Sequence, residues 1–441
     1  MFESLSQLLG GMRDLGATRM YAKKLAPNDN SKNQVYLGGD FSVLNVVPHG
    51  EIYSDSEDLA GSKRERAKAR VNFFWISGKG KYVAPDTNLV LYPKYPEVRM
   101  SGFLKGCEDS PSDVMTVRDP DRVLVIGITA HGEVLGYAGA AASAVAREVI
   151  AGKWDQLGVF LELPAGPDFK AKPKAILLAE LTRIYRLHWV MSQKLGKDGI
   201  KAPYSARNGG GYTLEAELGI TPNGYSEPDF MGWEVKQYGV GDFTKYLPKT
   251  PVTLMTPEPT GGVYKVEGVS KFMRRFGYTD KSGKVDRINF GGVYTCAKDF
   301  HADTGLRIIL DGYDTESGKI TNIDGGIALI DRSSEVAAHW SFKGMMKHWN
   351  RKHAQAAYIP SLFRTPPPEY SYGPRVLLCE QTDFMLFLKA FAEGVVYYDP
   401  AVKVENASGA YPLIKRRSQF RIRHQLLSKM YYRSEVVEIS I

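Results

Sequence analysis

The stretch Gly209–Gln237, which reads GGGYTLEAELGITPNGYSEPDFMGWEVKQ, decides how the C-terminal part of the sequence folds. It contains Asp229 and, soon after it, the triplet Glu234-Val235-Lys236 on a predicted strand. Because successive side chains of a strand point to opposite faces, Glu234 and Lys236 share one face while Val235 points into a core. Two carboxylates and an ammonium group are therefore predicted to converge at one end of a sheet.

These groups suit the hydrolysis of phosphodiesters. Mg²⁺ prefers carboxylate and water oxygens, and Asp229 and Glu234 would supply carboxylates beside the Val235 carbonyl. Such an ion stabilises the charge that develops on the scissile phosphate and lowers the pKa of a bound water. Lys236 would position or help deprotonate that water and stabilise the charged transition state. The residue types therefore predict a magnesium-dependent nuclease.

Glu215 lies on a predicted helix, Tyr212–Leu218, and is a further candidate ligand or orienting group. A Glu-x-Lys triplet alone is a weak motif, because it also arises by chance in a chain of 441 residues. The structural alternative for Glu234 and Lys236 is an ion pair on the surface of a strand. A second acid–lysine motif, Pro167–Lys170, has no apolar strand behind it and is interpreted as a solvated loop.

Four separated parts of the C-terminal half resemble, in the same order, the MvaI/BcnI family of restriction endonucleases and the related MutH-type nucleases. They are TLEAELGI at 213–220, PDFMGWEVK at 228–236 with PVTLMTPEP at 251–259, HWNRKH at 348–353 with AYIP at 357–360, and KRRSQFRI at 415–422. The resemblance covers about 200–433. It implies the PD-(D/E)xK nuclease fold, Mg²⁺ as cofactor, short double-stranded DNA targets and a monomer that cuts the two strands in successive events. It also implies catalytic roles for Glu215, Asp229, Glu234 and Lys236, although the gap between Asp229 and Glu234 is shorter than in MutH-type enzymes.

The C-terminal half also carries two basic clusters that could contact DNA. Phosphate contacts position a protein, whereas contacts to base edges specify the sequence, and the residue types do not separate the two. The alternative is a solvated basic face. The DNA-binding candidates here are Lys343, His348, Lys352, Arg417 and Arg421, and His353 of the first cluster is also expected to contact a base or a phosphate.

The N-terminal half resembles a different DNA-binding family. The segment 21–37 is similar to the opening of the EcoRII N-terminal domain, a B3-like β-barrel that reads DNA with two arms, and 96–99 is similar to its second arm. This resemblance covers about 20–130; Asn30-Ser31 replaces the usual Thr-Gly, and the middle of the domain departs from the family. The alternative is an ordinary polar loop between strands. The candidate DNA-binding residues are Lys23, Lys24, Asn28, Asn30, Asn33, Glu97 and Arg99.

A chain of 441 residues is longer than one typical domain of roughly 100–200 residues, and the Pro-, Gly- and Lys-rich stretch Ala165–Lys174 is interpreted as a linker, so two domains are predicted. Short apolar runs separated by Gly, Pro, Asn and Asp predict a mostly β domain at 1–165, followed by a linker and an amphipathic helix at 166–199 and an α/β domain with a mixed sheet at 200–441. The two resemblances imply that the first domain is B3-like and that the second has the PD-(D/E)xK fold. The predicted strands are Val43–Val47, Val71–Ile76, Leu89–Tyr92, Val123–Ile128, Trp233–Gln237, Val252–Met255, Arg307–Leu310 and Ile327–Asp331. The predicted helices, besides Tyr212–Leu218, are Ala138–Ile150, Ala175–Leu195, Phe384–Glu393 and Phe420–Tyr432.

The overall composition fits a DNA-binding protein of the cytoplasm. Lys and Arg total 57 against 49 Asp and Glu, a net charge of +8, which favours polyanionic partners. The three cysteines are too few and too far apart for a disulfide framework or a zinc site. The start of the sequence, MFESLSQLLGGMRDLG, predicts an amphipathic helix rather than a signal peptide. No apolar run approaches the roughly 20 residues of a membrane span.

The two resemblances together predict a type II restriction endonuclease, with CCWGG as the hypothetical target and an N-terminal effector or targeting domain. A cognate DNA methyltransferase is the expected genetic partner. Three alternatives stay open: a MutH-like nuclease that nicks one strand during repair, a non-catalytic DNA-binding regulator, and an N-terminal domain that recognises modified DNA.

Overall fold

The computed structural model describes residues 2–27, 33–55, 65–164, 173–206, 208–221 and 229–439, apart from the side chains of residues 351 and 352. The chain divides into two compact units, Met1–Ala175 and Ile176–Ile441. Most of the predicted linker, and with it the motif Pro167–Lys170, lies outside the described residues. None of the helices in the described part combines the length and the apolar character needed to cross a membrane.

Strands predominate among the described residues of the first unit. Its helices are α1 (Leu5–Asp14), α2 (Ser112–Met115) and α3 (Ala144–Ala151). Its strands are β1 (Ala17–Lys24), β2 (Val35–Gly38), β3 (Ile52–Ser54), β4 (Ala67–Arg70), β5 (Phe73–Ser77), β6 (Gly80–Val83), β7 (Asn88–Tyr92), β8 (Glu97–Ser101), β9 (Val123–Thr129), β10 (Val134–Gly139), β11 (Asp155–Leu157) and β12 (Phe160–Leu163).

These strands form two sheets, ordered β11-β12-β1-β9-β10-β5-β6 and β2-β8-β7-β4-β3. Every residue of β9 and β10 is buried, so these strands lack the apolar–polar alternation of a half-exposed strand. Helix α1, capped by the Ser4 side chain, places Leu5, Leu8, Leu9 and Met12 on one face. This face packs with α3 against the sheet and closes the core.

Two predictions for the first unit are wrong. Val43–Val47 is not a strand; a 3₁₀ helix spans Phe41–Asn45, because the Asp40 side chain caps its first turn. The predicted helix Ala138–Ile150 begins only at Ala144. Its first residues end β10, and the Ser143 hydroxyl caps the helix by accepting from the Ala146 N–H.

The second unit mixes helices and strands. Its helices are α4 (Pro173–Arg186), α5 (Gly209–Glu217), α6 (Val263–Val266), α7 (Val269–Phe276), α8 (Phe342–Lys352) and α9 (Phe384–Ala392), with a 3₁₀ helix at His424–Met430. Its first strands are β13 (Val190–Met191), β14 (Gln193–Leu195), β15 (Lys201–Pro203), β16 (Glu234–Gly239), β17 (Val252–Met255), β18 (Tyr278–Thr279), β19 (Arg287–Gly291), β20 (Arg307–Asp311), β21 (Tyr313–Asp314) and β22 (Lys319–Ile320). Its remaining strands are β23 (Gly326–Ile330), β24 (Val336–Ser341), β25 (Gln355–Arg364), β26 (Glu369–Tyr372), β27 (Arg375–Glu380), β28 (Val396–Tyr398), β29 (Ala401–Glu405), β30 (Leu413–Lys415), β31 (Phe420–Ile422) and β32 (Arg433–Glu438).

A mixed sheet organises the second unit. Its path is β13-β26-β25-β27-β32, and β16 adds to β25 in parallel, whereas the other pairs are antiparallel. One face carries Val235, Ala357 and Ile359 and packs in a single apolar core with Leu181 of α4 and Leu214 of α5. Because side chains alternate along a strand, the opposite face of β16 is left for Glu234 and Lys236.

Most predicted elements of the second unit are confirmed, and two are wrong. The pair β20 and β23 matches the predicted Arg307–Leu310 and Ile327–Asp331. Ala175–Leu195 is not one helix, because α4 ends at Arg186 and His188 adopts a left-handed φ of 57°. Phe420–Tyr432 is not one helix either but divides into β31 and the 3₁₀ helix at His424–Met430.

Candidate active site

Glu234 and Lys236 lie at the start of β16, on the same face of the strand. Lys236 Nζ lies 2.9 Å from Glu234 Oε1. Only 4% of the Glu234 side chain and 21% of the Lys236 side chain are exposed. The alternative of a surface ion pair is therefore wrong. The two charges attract each other more strongly than an exposed pair does, because water screens them less.

A tight turn brings Asp229 back to the start of β16. The backbone N–H of Phe230 donates to the Trp233 carbonyl at 2.9 Å, and the Trp233 N–H donates to the Phe230 carbonyl at 2.8 Å. Between them, Met231 and Gly232 have φ values of 46° and 91°. Two successive left-handed residues are the requirement of a type I′ turn, and glycine meets it without strain. The turn lets an acid so close in sequence fold back onto the strand.

Asp229 contacts the edge of β16 that faces away from β25. Its Oδ2 accepts a hydrogen bond from the Val235 N–H at 3.1 Å. In an extended strand the N–H and the C=O of one residue point to the same side. The Val235 carbonyl is therefore expected on the same edge as the Asp229 carboxylate, while the Val235 side chain packs into the core.

Helix α5 approaches β16 closely because it begins with glycine. A Cβ atom on Gly210 would lie 2.9 Å from the Gln237 side-chain amide, a distance that real Cβ atoms essentially never show. The Tyr372 hydroxyl donates to the Gly210 carbonyl at 2.7 Å and ties the helix to the sheet. This packing holds Glu215, on the same helix, near enough for its charge to act on Lys236.

The charges of three carboxylates act on the Lys236 ammonium group. Burial alone would lower the pKa of Lys236, but the charges of Glu234, Asp229 and Glu215 outweigh burial and raise this pKa above its ordinary value. Lys236 is therefore a fixed positive charge at neutral pH. This condition suits the positioning of water and the stabilisation of anionic charge better than the removal of a proton.

The donor set fits a hard divalent cation. Within the described ranges, no group of three or more His, Cys, Asp and Glu side chains is arranged to hold a metal by itself. The available set is the carboxylates of Asp229 and Glu234 with the Val235 carbonyl. Mg²⁺ commonly binds to one or two carboxylates and keeps several waters, so a small oxygen-only set is sufficient.

We expect Gly210→Ala to displace α5 from β16. An added methyl group in a tight contact costs about 1–3 kcal/mol of stability, and the shift of Glu215 should lower the cleavage rate about tenfold. Gly211→Ala is the matched control, because its Cβ would meet nothing within 4 Å. Thermal unfolding and single-turnover cleavage of both variants check this. Equal behaviour of the two variants would show that the Gly210 contact is unimportant.

The candidate DNA-binding residues of the C-terminal half lie in different surroundings. His348 and Arg417 are exposed, and Lys343 pairs with Asp324. The Lys352 side chain lies outside the described part. Arg421 is committed to internal partners, since its guanidinium group bonds to Asp399 Oδ2 at 2.6 Å and to a backbone carbonyl.

His353, which the sequence placed in the same basic cluster, is not at the surface. It is fully buried and stacks on Trp349, with ring centroids 4.2 Å apart. The expectation that it contacts a base or a phosphate is therefore wrong. The helical spacing explains the error, because His353 and Trp349 fall on the buried face of α8 and its cap.

Several candidates of the first unit converge around one tyrosine. Tyr36 on β2 pairs with Arg99 on β8, and Lys23 Nζ lies 6.0 Å from the centre of the Tyr36 ring. Arg99 forms an ion pair with Glu97 at 3.1 Å. Burial lowers the pKa of Lys23, so its charge lies in a poorly solvated place. The sequence pattern alone did not indicate this convergence.

The other candidates of the first unit are less informative. Lys24 is exposed at the end of β1. Asn33 has a left-handed φ of 47° just before β2. Asn28 and Asn30 lie outside the described residues.

Sequence reasoning missed the buried tyrosines beneath the acidic cluster. Tyr358 lies on β25 in register with Lys236, and its hydroxyl lies 3.1 Å from that of Tyr431. Tyr358 belongs to a segment that resembles a nuclease family, but nothing in the sequence marks Tyr431 as its partner. Only the pairing of β25 with β16 brings these residues beneath the site.

The C-terminal part of the chain is similar to known proteins. The family model of the MvaI/BcnI restriction endonuclease family matches residues 178–431. Two solved structures are similar. One, a complex of restriction endonuclease MvaI with a cognate DNA substrate, is 18% identical, with 61% of this chain and 99% of that chain covered and a TM-score of 0.45. The other, MvaI in the absence of DNA, is 16% identical, with 60% and 98% covered and a TM-score of 0.33.

No curated protein matches the sequence. The family model nevertheless extends over more than half of the chain and includes the acidic cluster, helix α5 and every strand of the mixed sheet except β32. The chain therefore belongs to the MvaI/BcnI restriction endonuclease family.

Proposed function

We propose that the protein is a type II restriction endonuclease of the PD-(D/E)xK type, which hydrolyses phosphodiester bonds of double-stranded DNA at a short specific sequence. Membership of a restriction endonuclease family implies a DNA-cleaving hydrolase. The observation that carries the finer proposal is the convergence of Asp229, Glu234 and Lys236 on one end of β16.

In the proposed mechanism each residue has a distinct task. Asp229, Glu234 and the Val235 carbonyl would hold Mg²⁺, which supplies charge neutralisation at the phosphate and a water of lowered pKa. The Lys236 ammonium group, already positioned by Glu234, orients the attacking water and stabilises the negative charge that develops. Glu215 adds a further carboxylate that keeps Lys236 charged and in place.

The contacts that select DNA come, in this proposal, from the exposed basic residues of the second unit. His348 and Arg417 are exposed and would approach a groove or a phosphate, whereas Arg421 bonds to internal partners. The solved complex of MvaI holds its cognate DNA substrate. By analogy with both resembled families, CCWGG is the first target to test.

Cleavage of unmethylated plasmid and phage DNA with Mg²⁺, followed by sequencing of the ends, tests the proposal. We expect discrete double-strand cuts that Glu234→Ala protein does not make. Nicks confined to one strand would instead support a MutH-like function. DNA binding without any cutting would support a non-catalytic regulator.

We further propose that the first unit is a second, B3-like DNA-binding module that acts as an effector or targeting domain. The grouping of Lys23, Tyr36, Glu97 and Arg99 supports it, because cationic and hydrogen-bonding side chains of β1, β2 and β8 gather around one tyrosine. Such side chains suit phosphates and base edges.

Lys23→Met is expected to weaken DNA binding by the full chain about tenfold and to reduce the slope of log K against log salt by about 1, because one phosphate contact is lost. Lys81→Met is the matched control, since Lys81 pairs with Glu133 in the same unit. Fluorescence anisotropy at several salt concentrations, on a Glu234→Gln background, checks both. Equal slopes for Lys23→Met and the parent protein would remove Lys23 from the DNA interface.

A further inference from the structure

A fully buried tyrosine lies on the catalytic face of the sheet. Tyr358 pairs in register with Lys236, and Glu234 pairs with the residue two positions before Tyr358. Residues in register on neighbouring strands share a face, so the Tyr358 ring lies on the same side as the catalytic carboxylate. The charge of Glu234 also acts on the Tyr358 hydroxyl, so the two groups lie in the same part of the site.

The Tyr358 hydroxyl is one end of a buried hydrogen-bonded chain. It lies 3.1 Å from the Tyr431 hydroxyl, which in turn lies 3.4 Å from His353 Nδ1. On the other side of the ring, His353 Nε2 lies 3.0 Å from the Leu254 carbonyl oxygen. The chain thus joins β25, the segment before β32, the end of α8 and β17.

The carbonyl at one end fixes the direction of every hydrogen bond in this chain. A carbonyl only accepts, so His353 Nε2 must carry the proton that it donates to Leu254. Burial disfavours a charged imidazolium, and in the neutral ring with its proton on Nε2 the other nitrogen, Nδ1, is an acceptor. Tyr431 therefore donates to Nδ1, and Tyr358 donates its single hydroxyl proton to Tyr431.

We propose that this chain positions the catalytic site by holding the Tyr358 proton away from Glu234, so that the carboxylate keeps its oxygens for Lys236 and for Mg²⁺. The proposal rests on the function proposed above for Glu234. Tyr358, Tyr431 and His353 act here as positioning residues, because they act through the carboxylate rather than on the DNA.

The charge of Glu234 acts on both tyrosines. After burial, which has the largest effect, the negative charge of Glu234 contributes to raising the pKa values of both Tyr358 and Tyr431. Both hydroxyls are thus protonated donors within the electrostatic range of the carboxylate. A phenol that is released from its partner would turn toward such a carboxylate, because hydrogen bonds to ionised acceptors are about twice as strong as neutral ones.

The test is a pair of substitutions with opposite expected effects. Tyr431→Phe removes the acceptor of the Tyr358 proton, so Tyr358 is expected to donate to Glu234 and to compete with the metal. We expect Mn²⁺ binding to the DNA-free full chain, followed by the electron paramagnetic resonance signal of the free ion, to weaken about tenfold. Tyr358→Phe in the same protein removes the competing donor, and affinity should return to within about threefold of the parent protein.

The rate of cleavage with Mg²⁺ should fall in Tyr431→Phe protein and largely recover in the double variant, as Mn²⁺ affinity does. The affinity for DNA should be the same in all three proteins. A purely structural role predicts the reverse, because the double variant would lose two buried hydroxyl groups and be the poorest. A double variant weaker than Tyr431→Phe, or Tyr431→Phe protein that binds Mn²⁺ like the parent, would overturn the proposal. If Glu234→Ala protein binds Mn²⁺ as the parent does, Glu234 does not hold the bound ion, and the proposed function fails first.

Two further measurements distinguish the proposed effect from a general loss of stability. Tyr294→Phe is the matched control, because its buried hydroxyl bonds Thr304 at 2.8 Å in a different aromatic cluster. It should lower the melting temperature as much as Tyr431→Phe without changing Mn²⁺ affinity. In the unaltered protein, ¹⁵N chemical shifts of His353 should report a proton on Nε2 and an accepting Nδ1. The opposite tautomer would overturn the proposal without any variant.

Discussion

Replacing Glu234 by Gln is expected to abolish DNA cleavage while leaving DNA binding intact. The substitution keeps the shape of a side chain that is almost fully buried, but it removes the charge that would hold a cation. Metal ions contribute several kcal/mol of transition-state stabilisation, so the single-turnover rate should fall by about a thousandfold or more. Affinity for DNA without divalent cations should change less than threefold, because the groups that contact DNA are elsewhere.

Glu369→Gln is the matched control for this variant. Glu369 lies on β26 of the same sheet and pairs with Arg364 away from the acidic cluster. It should cut at the parent rate. If Glu234→Gln protein lost DNA binding as well as cleavage, Glu234 would be a structural residue and not a metal ligand.

Lys236→Met is expected to lower the cleavage rate by about a hundredfold to a thousandfold, the usual effect of removing one preorganised donor to a developing anion. The variant should also be less stable, since it leaves the Glu234 carboxylate buried without its partner at 2.9 Å. A divalent cation should restore part of the lost melting temperature, because it replaces the missing positive charge.

The control for Lys236→Met is Lys415→Met, which breaks the exposed strand pair Lys415–Glu405. Exposed pairs contribute about 0–1 kcal/mol, so this control should keep both stability and activity. Parent-like cleavage by Lys236→Met protein, measured under single-turnover conditions, would exclude Lys236 from the mechanism.

Strand β16 was predictable because its signal is local. Alternation over Glu234, Val235 and Lys236 requires two charged side chains on one face and an apolar one on the other, and the structure has this arrangement. The return of Asp229 to the strand depends on Met231 and Gly232. The glycine marks a turn, but the sequence does not indicate its left-handed geometry or the distance that it spans.

The wrong predictions of helices come from segments in which a strand pattern and a helix pattern overlap. Phe420 and Ile422 alternate as in a strand, while Leu427 and Met430 follow at helical spacing, so one long helix was predicted where a strand meets a 3₁₀ helix. Ala138–Ile150 is rich in small residues that suit both states. There the Ser143 cap decides where the helix begins.

The tyrosine chain beneath the site was not predictable from local patterns. Tyr358, Tyr431, His353 and Leu254 come from separate parts of the sequence, and only the pairing of the strands and the docking of α8 bring them together. His353 was assigned to the surface because its neighbours in sequence are basic. A local motif describes the composition of a segment, whereas burial is set by the long-range packing of the segment.

Within the described part of the chain, β16 pairs with a neighbour on one side only, so the proposed chemistry takes place on an edge strand. Unpaired edge strands can pair with strands of other copies and start aggregation, and charged side chains on an edge strand oppose such pairing. The charges of Glu234 and Lys236 are therefore also expected to reduce aggregation of the protein. A variant that replaces both with apolar residues should precipitate at concentrations at which the parent protein stays dispersed. The solubility of the protein is then partly determined by the same two charges that are proposed to act in DNA cleavage.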